Sequence, residues 1–508
     1  MNLTNRIAFV AVGCAASMAV NAIGKHTAIK PNVLYIMCDD MGYGDLGCYG
    51  QKLISTPNID SLASQGMLFT QAYAGSPVSA PSRACLMTGQ HSGHTAVRGN
   101  KEYWTHAGTV NYGKCVDYAV VGQEPYDPNH VILPEIMKDN GYTTGMFGKW
   151  AGGYEGSVST PDRRGIDEFF GYICQYQAHL YYPNFLNRFS KQAGDTTVTR
   201  IVLEDNIKHR MFGDDYFNRT QYSADIIHRE AMRWIERQTP GKPFFGLLTY
   251  TLPHAELAQP HDSIFNHYTK QFFVDCTWGG NEDSRYNPSD HTHAHFAAMI
   301  TRLDAYVGEI VALLKQKHLY ENTIIVFTSD NGPHEEGGAD PEFFGRDGKL
   351  RGLKRQCLEG GIRVPYIVCW HGHTAPGSVS NHQMAFYDVM PTLCDIIGVK
   401  NYTKRYARTQ NDTFDGLSFA PTLTGKGVQP EHPHLYWEFH ETDQIAVRQG
   451  DWKLLVIAGK PHLYNLANDV HEDHDVAALH PEKVKELVEI VLKEHTPSKN
   501  FKITLPQI

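Results

Sequence analysis

The sequence predicts an α/β protein in which a mostly parallel sheet is covered by helices on both faces, followed by a small antiparallel sheet with one packed helix. Short apolar runs such as "NVLYIMC" alternate with helical patterns through most of the chain, and these runs are continuously apolar. Strands buried on both faces of a parallel sheet have this pattern. Beyond Pro433 the runs are shorter and are separated by turn signals such as Gln449-Gly450-Asp451, which is typical of antiparallel strands.

The large sheet is predicted to be built from strands that alternate with helices along the chain. "NVLYIMCDD" is predicted to be a buried strand, residues 59–71 a helix and a returning strand, and "YTTGMFGKW" and "KPFFGLLTYTLPH" two further strands. Residues 295–317 place Met299, Leu303 and Ile310 on one face at helical spacing, and this helix leads directly into the strand "NTIIVFTSDNG". Helices that alternate with strands in this way predict a single large α/β domain.

A Pro-, Gly- and Thr-rich stretch, "TFDGLSFAPTLTGKGVQPEHP", is predicted to be a linker. The runs "HLYWEF", "QIAVRQGDWKLLVIA" and "PHLYNL" follow it as strands, and residues 481–495 as a helix. We therefore predict a large domain over residues 27–430 and a small α+β domain over residues 431–508.

The composition excludes several classes of protein. At 508 residues the chain is long enough for one large domain and a smaller one. Hydrophobic residues make up 42% and charged residues 20%, which is typical of a globular protein and not of a disordered or fibrous one. The net charge of -9 argues against a protein that coats a polyanion, so no nucleic-acid partner is expected.

The N-terminus has the pattern of a signal peptide over residues 1–22. It contains one arginine, a short apolar run, and small residues at Val20 and Ala22 that suit cleavage. Export to the periplasm is therefore expected. The alternative is a lipoprotein signal, because "AVGC" loosely resembles the motif in which a cysteine, here Cys14, is acylated. No later segment reaches the roughly 20 apolar residues needed to cross a bilayer, so no transmembrane segment is expected.

The cysteines are scattered and form no CxxC pair. Of the ten cysteines, one lies within the predicted signal peptide. Their spacing, and that of the histidines, indicates neither a zinc site nor a dense disulfide framework. One disulfide stays open as an alternative in an oxidising compartment.

Two predicted strands end in hard oxygen donors. "LYIMCDD" ends in Asp39 and Asp40, and "IIVFTSDN" ends in Asp330 and Asn331. In an open α/β sheet, ligands gather beyond the carboxyl ends of the strands. The four side chains would suit Ca²⁺ or Mg²⁺ better than zinc. The alternative is that each pair caps the following turn or helix.

The segment "SAPSRACLMTG" is predicted to open a helix. Pro81 suits the first helical position, so Ser79 would lie at the N-terminus, where free N–H groups and the helix dipole favour an anion. Arg83, one turn along, would supply a positive fork for an oxyanion. The alternative is an ordinary helix cap.

The same segment resembles the signature of the type I sulfatases: Cys or Ser, any residue, Pro, Ser, Arg, then a few residues and Thr-Gly. Other marks of that family occur in the expected order, namely "NVLYIMCDDMGYGDLGCYG", "TPNIDSLASQG", "GYTTGMFGKW", "LPHAEL", "TSDNGPH" and "LKRQCLEGGIRVP". The resemblance covers nearly all of the chain beyond the predicted signal peptide. It implies the alkaline-phosphatase-like α/β/α sandwich with a small C-terminal domain.

The resemblance also implies a mechanism. Ser79 would be oxidised to formylglycine by a serine-type maturase, because a serine ester has no second hydroxyl to expel sulfate. Lys149 and Lys354 would hold the sulfate, Arg83 would orient the nucleophile, and His254 would be the general acid or a sulfate contact. The family pattern assigns the metal, Ca²⁺ in preference to Mg²⁺, to Asp39, Asp40, modified Ser79, Asp330 and Asn331.

One position departs from the family pattern. The family reads Gly-Lys-Trp-His, whereas this chain has Ala151 after "GKW". The family histidine contacts the hydrated aldehyde, so another group would have to take over its proton transfer. His179 and His334 are the candidates, and the sequence does not choose between them.

The substrate implied is a sulfated saccharide from host glycans or algal polysaccharide. Polar and aromatic residues that suit sugar rings cluster in "RGNKEYWTH", "YICQYQAHLYYP" and "YWEFHETDQIAVR", although core packing explains such residues equally well. The predicted substrate contacts are His179, His334, His440, Glu441 and Arg448.

Two rival functions stay open as alternatives. One is a phosphatase or phosphodiesterase of the same superfamily that uses Ser79 directly. Phosphate monoester enzymes of the fold add metal-binding histidines, and the sequence shows no such group around "TSDNGPHEE". The other rival is a non-catalytic glycan-binding protein with a decayed site, which only Ala151 supports.

Overall fold

The computed structural model describes residues 30–104, 120–280, 286–345, 348 and 350–507. The predicted signal peptide at residues 1–22, Cys14 within it, and the last two residues of "RGNKEYWTH" lie outside the described residues. In the described part of the chain, no helix is long and apolar enough to span a bilayer.

The strands fall into one large sheet, one small sheet and two short pairs. Their bounds are β1 Asn32–Cys38, β2 Met67–Phe69, β3 Ala72–Tyr73, β4 Glu102–Trp104, β5 Val120–Gln123, β6 Thr143–Lys149, β7 Glu168–Tyr172, β8 Phe185–Ser190, β9 Thr199–Val202, β10 Phe244–Thr249, β11 Thr323–Ser329, β12 Tyr366–Trp370, β13 Ser378–Ser380, β14 Met384–Ala385, β15 Leu435–Phe439, β16 Gln444–Gln449, β17 Trp452–Ile457 and β18 Lys460–Asn465.

The large sheet has ten strands in the order β13-β2-β12-β11-β1-β10-β6-β7-β8-β9. Its centre, from β11 through β1, β10 and β6 to β7, is parallel, and antiparallel strands flank it on both sides. The mostly parallel sheet predicted from the apolar runs is confirmed. The parallel centre brings the carboxyl ends of five strands to one edge, where ligands gather in open α/β sheets.

Helices cover both faces of this sheet. Their bounds are α1 Pro57–Gln65, α2 Ser79–Thr88, α3 Leu133–Asp139, α4 Ser223–Glu236, α5 Ser263–Gln271, α6 Thr292–Gln316, α7 Pro341–Phe344, α8 Glu359–Ile362, α9 Val389–Ile396, α10 Tyr402–Tyr406, α11 Ala420–Thr424 and α12 Pro481–Glu494.

Strand β1 shows how the two cores are divided. Leu34 and Ile36 pack into one apolar cluster with residues of α1, α4 and α6, whereas Val33 and Tyr35 pack into the other with residues of α2, α3 and α9. Successive side chains of a strand point to opposite faces, so a continuously apolar strand requires cover on both.

The small sheet is antiparallel throughout, in the order β15-β16-β17-β18. One face packs on α12 through Leu487, Val488 and Val491. The other face packs on the large domain, where Trp437 lies against Tyr73 and donates a 2.8 Å hydrogen bond to the carbonyl of residue 74. The predicted antiparallel sheet with one packed helix is confirmed.

The start of α2 and the state of the cysteines bear on two sequence expectations. Helix α2 begins at Ser79 itself, two residues earlier than Pro81 would suggest, because Pro lacks only a donor and is tolerated anywhere in the first turn. The eight cysteines of the described residues are all free thiols, so the alternative of a disulfide finds no support among them.

Candidate active site

The predicted oxygen donors lie side by side because two parallel strands end together. Cys38 of β1 pairs in register with Ser329 of β11, so the residues after them meet. The backbone N–H of Asp40 donates to Oδ1 of Asp330 over 3.2 Å, and Nδ2 of Asn331 donates to Oδ1 of Asp40 over 2.7 Å. All of these side chains are buried.

The turn after β11 is held by close backbone approach. A side chain on Gly332 would meet the carbonyl of Gly360 at 1.9 Å, and the Gly332 N–H donates to the carbonyl of Gly361 over 3.0 Å. Only glycine allows this approach. The "DNG" and "LEGG" segments are therefore packed against each other, which fixes Asn331 beside Asp40.

Ser79 lies between the two carboxylates at the first residue of α2. Its Oγ is 2.8 Å from Oδ1 of Asp39 and 2.6 Å from Oδ2 of Asp330. Lys149, at the end of β6, donates to the same Oγ over 3.1 Å and to Oδ2 of Asp39 over 2.6 Å. The Ser79 hydroxyl is thus placed within a charged cluster below the mouth of a pocket.

Arg83 lies one turn along α2 from Ser79 and points back under it. Its Nε donates to Oδ2 of Asp330 over 2.9 Å, and its Nη1 donates to the carbonyl of Lys149 over 3.2 Å. Its Nη2 lies 2.8 Å from the same Asp330 oxygen as an ion pair. The guanidinium is buried, so it orients Asp330 and does not itself line the pocket that the structure describes.

Lys354 and His254 face Ser79 from the far side. Lys354 Nζ donates to Oδ2 of Asp40 over 2.8 Å and to Oε2 of Glu336 over 3.1 Å, and it lies 3.0 Å from Nε2 of His254. His254 Nδ1 faces the carbonyl of Ala255, so this nitrogen donates and Nε2 accepts from Lys354.

Burial and neighbouring charges set the protonation of these groups. Burial, together with the nearby charges of Lys354 and Lys149, lowers the pKa of His254, so its ring is neutral. Burial also opposes the charge of Lys354, but Asp40 and Glu336 outweigh it and raise the pKa of the ammonium. The pair therefore consists of a charged donor and a neutral acceptor.

The pKa values of the two buried carboxyls Asp330 and Asp39 are shifted in opposite directions. Burial and the negative charge of Asp39 raise the pKa of Asp330 to about 6. Burial disfavours the charge of Asp39 as well, but the charges of Lys149 and Arg83 hold the pKa of Asp39 well below its ordinary value. Mutual repulsion of carboxylates in one dry site raises the pKa of one member, and a cation placed between them relieves it.

The pocket above Ser79 has a volume of about 610 Å³. Its floor is formed by Ser79, Lys149, His254 and Lys354. Its walls and rim carry polar and aromatic side chains: Asn100, Glu102, Gln175, Tyr176, His179, Trp278, Tyr286, Glu335, Glu336, Arg355 and Glu441. A charged floor under a polar, aromatic wall suits an anionic group on a hydroxylated ligand.

The comparisons with known proteins agree with this geometry. The family model for sulfatases matches residues 31–399. The chain belongs to the sulfatase family. N-acetylgalactosamine-6-sulfatase of Homo sapiens is 29% identical over 410 residues, covering 80% of this chain and 68% of that protein. Ps i-CgsB superposes with a TM-score of 0.70 at 27% identity, covering 94% of this chain and 95% of that one. Its complex with k-i-k-neocarrahexaose gives 0.68 at 26% identity, with the same coverage.

The chain is therefore a sulfatase, a hydrolase of sulfuric esters, with the fold of that family. Membership implies a formylglycine and a divalent metal, and this site fits a hard cation. One hydroxyl hydrogen on Ser79 cannot serve both Asp39 and Asp330. Oδ1 of Asn331 is buried with no hydrogen-bond partner among the described residues. Carboxylate and amide oxygens left without donors are the ligands that Ca²⁺ and Mg²⁺ prefer.

One cluster around "TSDNGPHEE" bears on the expectation that no group of metal-binding histidines occurs there. His334 and Glu336 lie with Asp40, within 4.8 Å of one another, and the cluster contains one histidine. Lys354 Nζ lies 2.8 Å from Asp40 and 3.1 Å from Glu336. Because this ammonium already supplies positive charge to both carboxylates, the group does not need a second metal ion.

The structure places some of the predicted substrate contacts in the pocket and others outside it. His179 and Glu441 line the pocket, and Oε1 of Glu441 accepts the N–H of Asn100 over 2.6 Å. His334 lies behind His254, accepts the N–H of Glu336 at Nδ1 over 3.1 Å, and faces the carbonyl of residue 253 with Nε2. Both of its ring nitrogens are engaged by backbone groups.

Arg448 and His440 do not line the pocket that the structure describes. The buried Arg448 guanidinium donates to Tyr73, Gln71 and Gly450, because strand β16 packs its inner face on the large domain. The prediction of substrate contact for Arg448 is therefore corrected to a role in packing. His440 lies against Phe501, at the edge of the pocket next to Glu441.

Sequence reasoning missed several wall residues. Glu336 accepts from Tyr286 over 3.0 Å and from Lys354, and it pairs with Arg355, so it joins the catalytic floor to the pocket wall. Trp278 and Tyr286 line the same wall. Glu336 and Arg355 stand next to motif residues in the sequence, which is the only signal that could have found them.

Ala151 stands where the family pattern has a histidine. Ala151 is fully buried, has a left-handed backbone with φ of 56°, and donates its N–H to the carbonyl of Ile173 over 3.3 Å. A methyl group cannot transfer a proton. The described pocket lining contains His179 and His254, and the two rings stack with centroids 4.5 Å apart.

Proposed function

We propose that this sulfatase removes a sulfate group from a saccharide, with Ser79 as the nucleophile after its oxidation to formylglycine by a serine-type maturase. The observation that carries the proposal is the position of Ser79 Oγ, which lies within 3.1 Å of Asp39, Asp330 and Lys149 on the floor of the pocket. Hydrolysis requires the nucleophile to lie at such a charged position on the pocket floor.

The residues of the chain have separate tasks in this proposal. Lys149 and Lys354 hold the sulfate oxygens, because both ammonium groups line the floor on either side of Ser79. Arg83 fixes Asp330, and through it the nucleophile. Lys354 and His254, 3.0 Å apart, share a proton and deliver it to the leaving oxygen.

The two groups that the chain acquires would complete the chemistry. A hydrated formylglycine supplies a second hydroxyl that ordinary serine lacks, and a divalent cation stabilises charge on the sulfate oxygens. Asp39, Asp40, Asp330, Asn331 and modified Ser79 would hold that cation. We propose Ca²⁺ in preference to Mg²⁺, since a set of oxygen ligands supplied largely by the protein suits the shell of Ca²⁺, whereas Mg²⁺ usually keeps several waters and binds one or two carboxylates.

A saccharide substrate is supported by the pocket wall and by the relatives. Carboxylates and amides such as Glu441, Asn100 and Gln175 suit sugar hydroxyls, and Trp278 and Tyr286 suit the apolar faces of sugar rings. One relative is an N-acetylgalactosamine-6-sulfatase, and a structural neighbour has been solved with k-i-k-neocarrahexaose. Both names point to sulfated sugars.

We propose that His179 performs the proton transfer that the family histidine, replaced here by Ala151, would perform. His179 lines the pocket with Ser79, whereas both nitrogens of His334 face backbone groups. Burial, with the charges of nearby Lys149 and Lys354, lowers the pKa of His179 well below its ordinary range, so it is a neutral base. His179→Ala should lower kcat, and His334→Ala should lower thermal stability more than kcat.

The remaining proposals concern the chain as a whole. We propose a signal peptide over residues 1–22 that directs export to the periplasm. The alternative is a lipoprotein signal in which Cys14 is acylated. We also keep the division into residues 27–430 and 431–508. Strand β15, which starts the small sheet at Leu435, supports that division.

The test is hydrolysis of sulfated mono- and oligosaccharides by protein produced with a serine-type maturase. Asp330→Ala should reduce metal-dependent turnover by about 10²–10³-fold or more, since it removes a ligand and the partner of Arg83. Asp395→Ala, on an exposed position of α9, is the matched control. Unchanged turnover in Asp330→Ala would show that the chemistry occurs elsewhere.

A further inference from the structure

Five titratable side chains outside the active site meet where helix α12 packs on the rest of the chain. We call them the His91 cluster: His91, His94, Asp415, His434 and Glu494. They come from the turn after α2, from the segments before α11 and β15, and from the last residue of α12. Their side chains are between 5% and 15% exposed. The proposed reaction uses none of them.

Three imidazoles surround the carboxylate of Glu494. His91 Nε2 lies 3.3 Å and His94 Nε2 3.9 Å from Oε2, and His434 Nε2 lies 3.3 Å from Oε1. One ligand atom from each of His91, His94 and Glu494 falls within 4.8 Å of the others. Ligands at about 2.0–2.2 Å from a tetrahedral zinc ion are roughly 3.3–3.6 Å apart, so only a small closure is needed.

The position of His94 leaves its second ring nitrogen facing a carboxylate. His94 Nδ1 lies 3.0 Å from both oxygens of Asp415 and donates to them. Its Nε2 lies 3.9 Å from Oε2 of Glu494, and its ring stacks on His91 with centroids 4.0 Å apart. A cation between this nitrogen and the carboxylate would bind both.

We propose that the His91 cluster binds a structural zinc ion through His91 Nε2, His94 Nε2 and Glu494, with Asp415 orienting His94. A carboxylate that accepts from the other ring nitrogen is the usual partner of a zinc-ligating histidine. Imidazole nitrogens select zinc over calcium, so this site differs in chemistry from the oxygen-rich site at Ser79.

Coordination changes one hydrogen bond that the structure shows. His91 Nδ1 accepts the N–H of Gly93 over 3.1 Å, so its ring proton is on Nε2. Zinc binding moves that proton to Nδ1 at the expense of the Gly93 bond. The ion would fasten the end of α12 to the turn after α2, and thus the small domain to the large one.

The test uses the full-length protein carrying Asp330→Ala, so that the active site neither binds its metal normally nor turns over substrate. The protein is stripped by a chelator and dialysed against zinc, calcium or buffer alone. Bound metal is then measured by mass spectrometry and Tm by calorimetry. We predict one bound zinc per chain and a rise of a few degrees in Tm with zinc but not with calcium.

The variants separate this site from other zinc binding. His94→Gln and Glu494→Gln should each lose the bound zinc and the rise in Tm. His432→Gln should keep both, because His432 pairs with Asp388 at 2.7 Å outside the cluster. This result does not depend on sulfatase activity, so it stands or falls separately from the proposed function.

The proposal is overturned if the protein retains no zinc, or if both cluster variants bind zinc as the parent does, which would indicate adventitious binding elsewhere. If a cluster variant fails to fold, the visible absorption of Co²⁺ bound to the parent protein decides. Intense bands of a tetrahedral nitrogen and oxygen site support the proposal, and the weak bands of octahedral Co²⁺ contradict it.

Discussion

Glu256 is a buried carboxyl beneath the pocket, and its replacement by glutamine tests the electrostatics of the loop that carries His254. Its oxygens accept from Asn287, from the N–H of Tyr181 and from the hydroxyl of Tyr216, all neutral donors. Burial raises the pKa of Glu256 to about 7. The carboxyl is therefore neutral in mildly acidic solution and charged in mildly alkaline solution.

The raised pKa of Glu256 makes the free energy of unfolding depend on pH. Below pH 4.5 the group is protonated in the folded and unfolded states, so it costs nothing. Between pH 4.5 and pH 7 the unfolded chain loses the proton first, so the free energy of unfolding falls as pH rises. The difference between the two pKa values corresponds to roughly 3 kcal/mol. Above pH 7 no further loss is expected from this group.

Calorimetry of wild-type and Glu256→Gln protein between pH 4.5 and pH 8 measures this loss. An unfolding entropy of about 2.1 cal/mol/K per residue converts roughly 3 kcal/mol into about 3 °C for a chain of this length. Wild-type Tm should fall by that amount relative to Glu256→Gln as pH rises. Glu489→Gln, an exposed position on α12, is the control and should show no such trend. A Tm difference that stays constant with pH would refute the reasoning.

Three further predictions concern the charged groups. Lys354→Met should lower kcat/KM by about 10²–10³-fold because it removes a sulfate contact and the donor to His254, while Lys493→Met on the surface should not change it. Chelation of divalent cations should abolish hydrolysis, and Ca²⁺ should restore it better than Mg²⁺ in a turnover assay; activity that survives chelation would exclude the metal. Lys453→Met removes the buried cation that Glu359 and Glu472 share, 2.9 and 3.0 Å away, although Glu359 keeps its pair with Arg363 at 3.3 Å. It should cost roughly 3–5 kcal/mol and lower Tm by about 3–5 °C in calorimetry, and an unchanged Tm would contradict the assignment.

Much of the fold and of the catalytic floor was predictable from local signals. Continuously apolar runs identify buried strands, and acids that directly follow them fall at one edge of a parallel sheet, as Asp39 and Asp330 do. Ser79 and Arg83 stand one helical turn apart, so a helix beginning at that serine brings both side chains to the same side. These relations are encoded within a few residues of each motif.

The rest depends on contacts between distant segments. Arg448 is polar and lies in an aromatic stretch, which suggested a sugar contact, but the packing of β16 on the large domain buries it against Tyr73. Glu336 reaches Lys354 and Tyr286 only through the fold. The side chains of the His91 cluster come from four segments, so no spacing along the chain could indicate it. Spacing along the sequence indicates which residues are neighbours within one helix or strand, but it does not indicate which distant segments contact each other.

The mass of the peptide that contains Ser79 tests the central claim most directly. The protein is produced together with a serine-type maturase, digested, and analysed intact across "SPVSAPSRACLMTG". The account predicts a peptide lighter by two hydrogen atoms than the unmodified sequence, or its hydrate, because oxidation converts the serine side chain to an aldehyde. An unmodified Ser79, from a maturase shown to be active on a control peptide, would contradict the assignment of Ser79 as the sulfatase nucleophile.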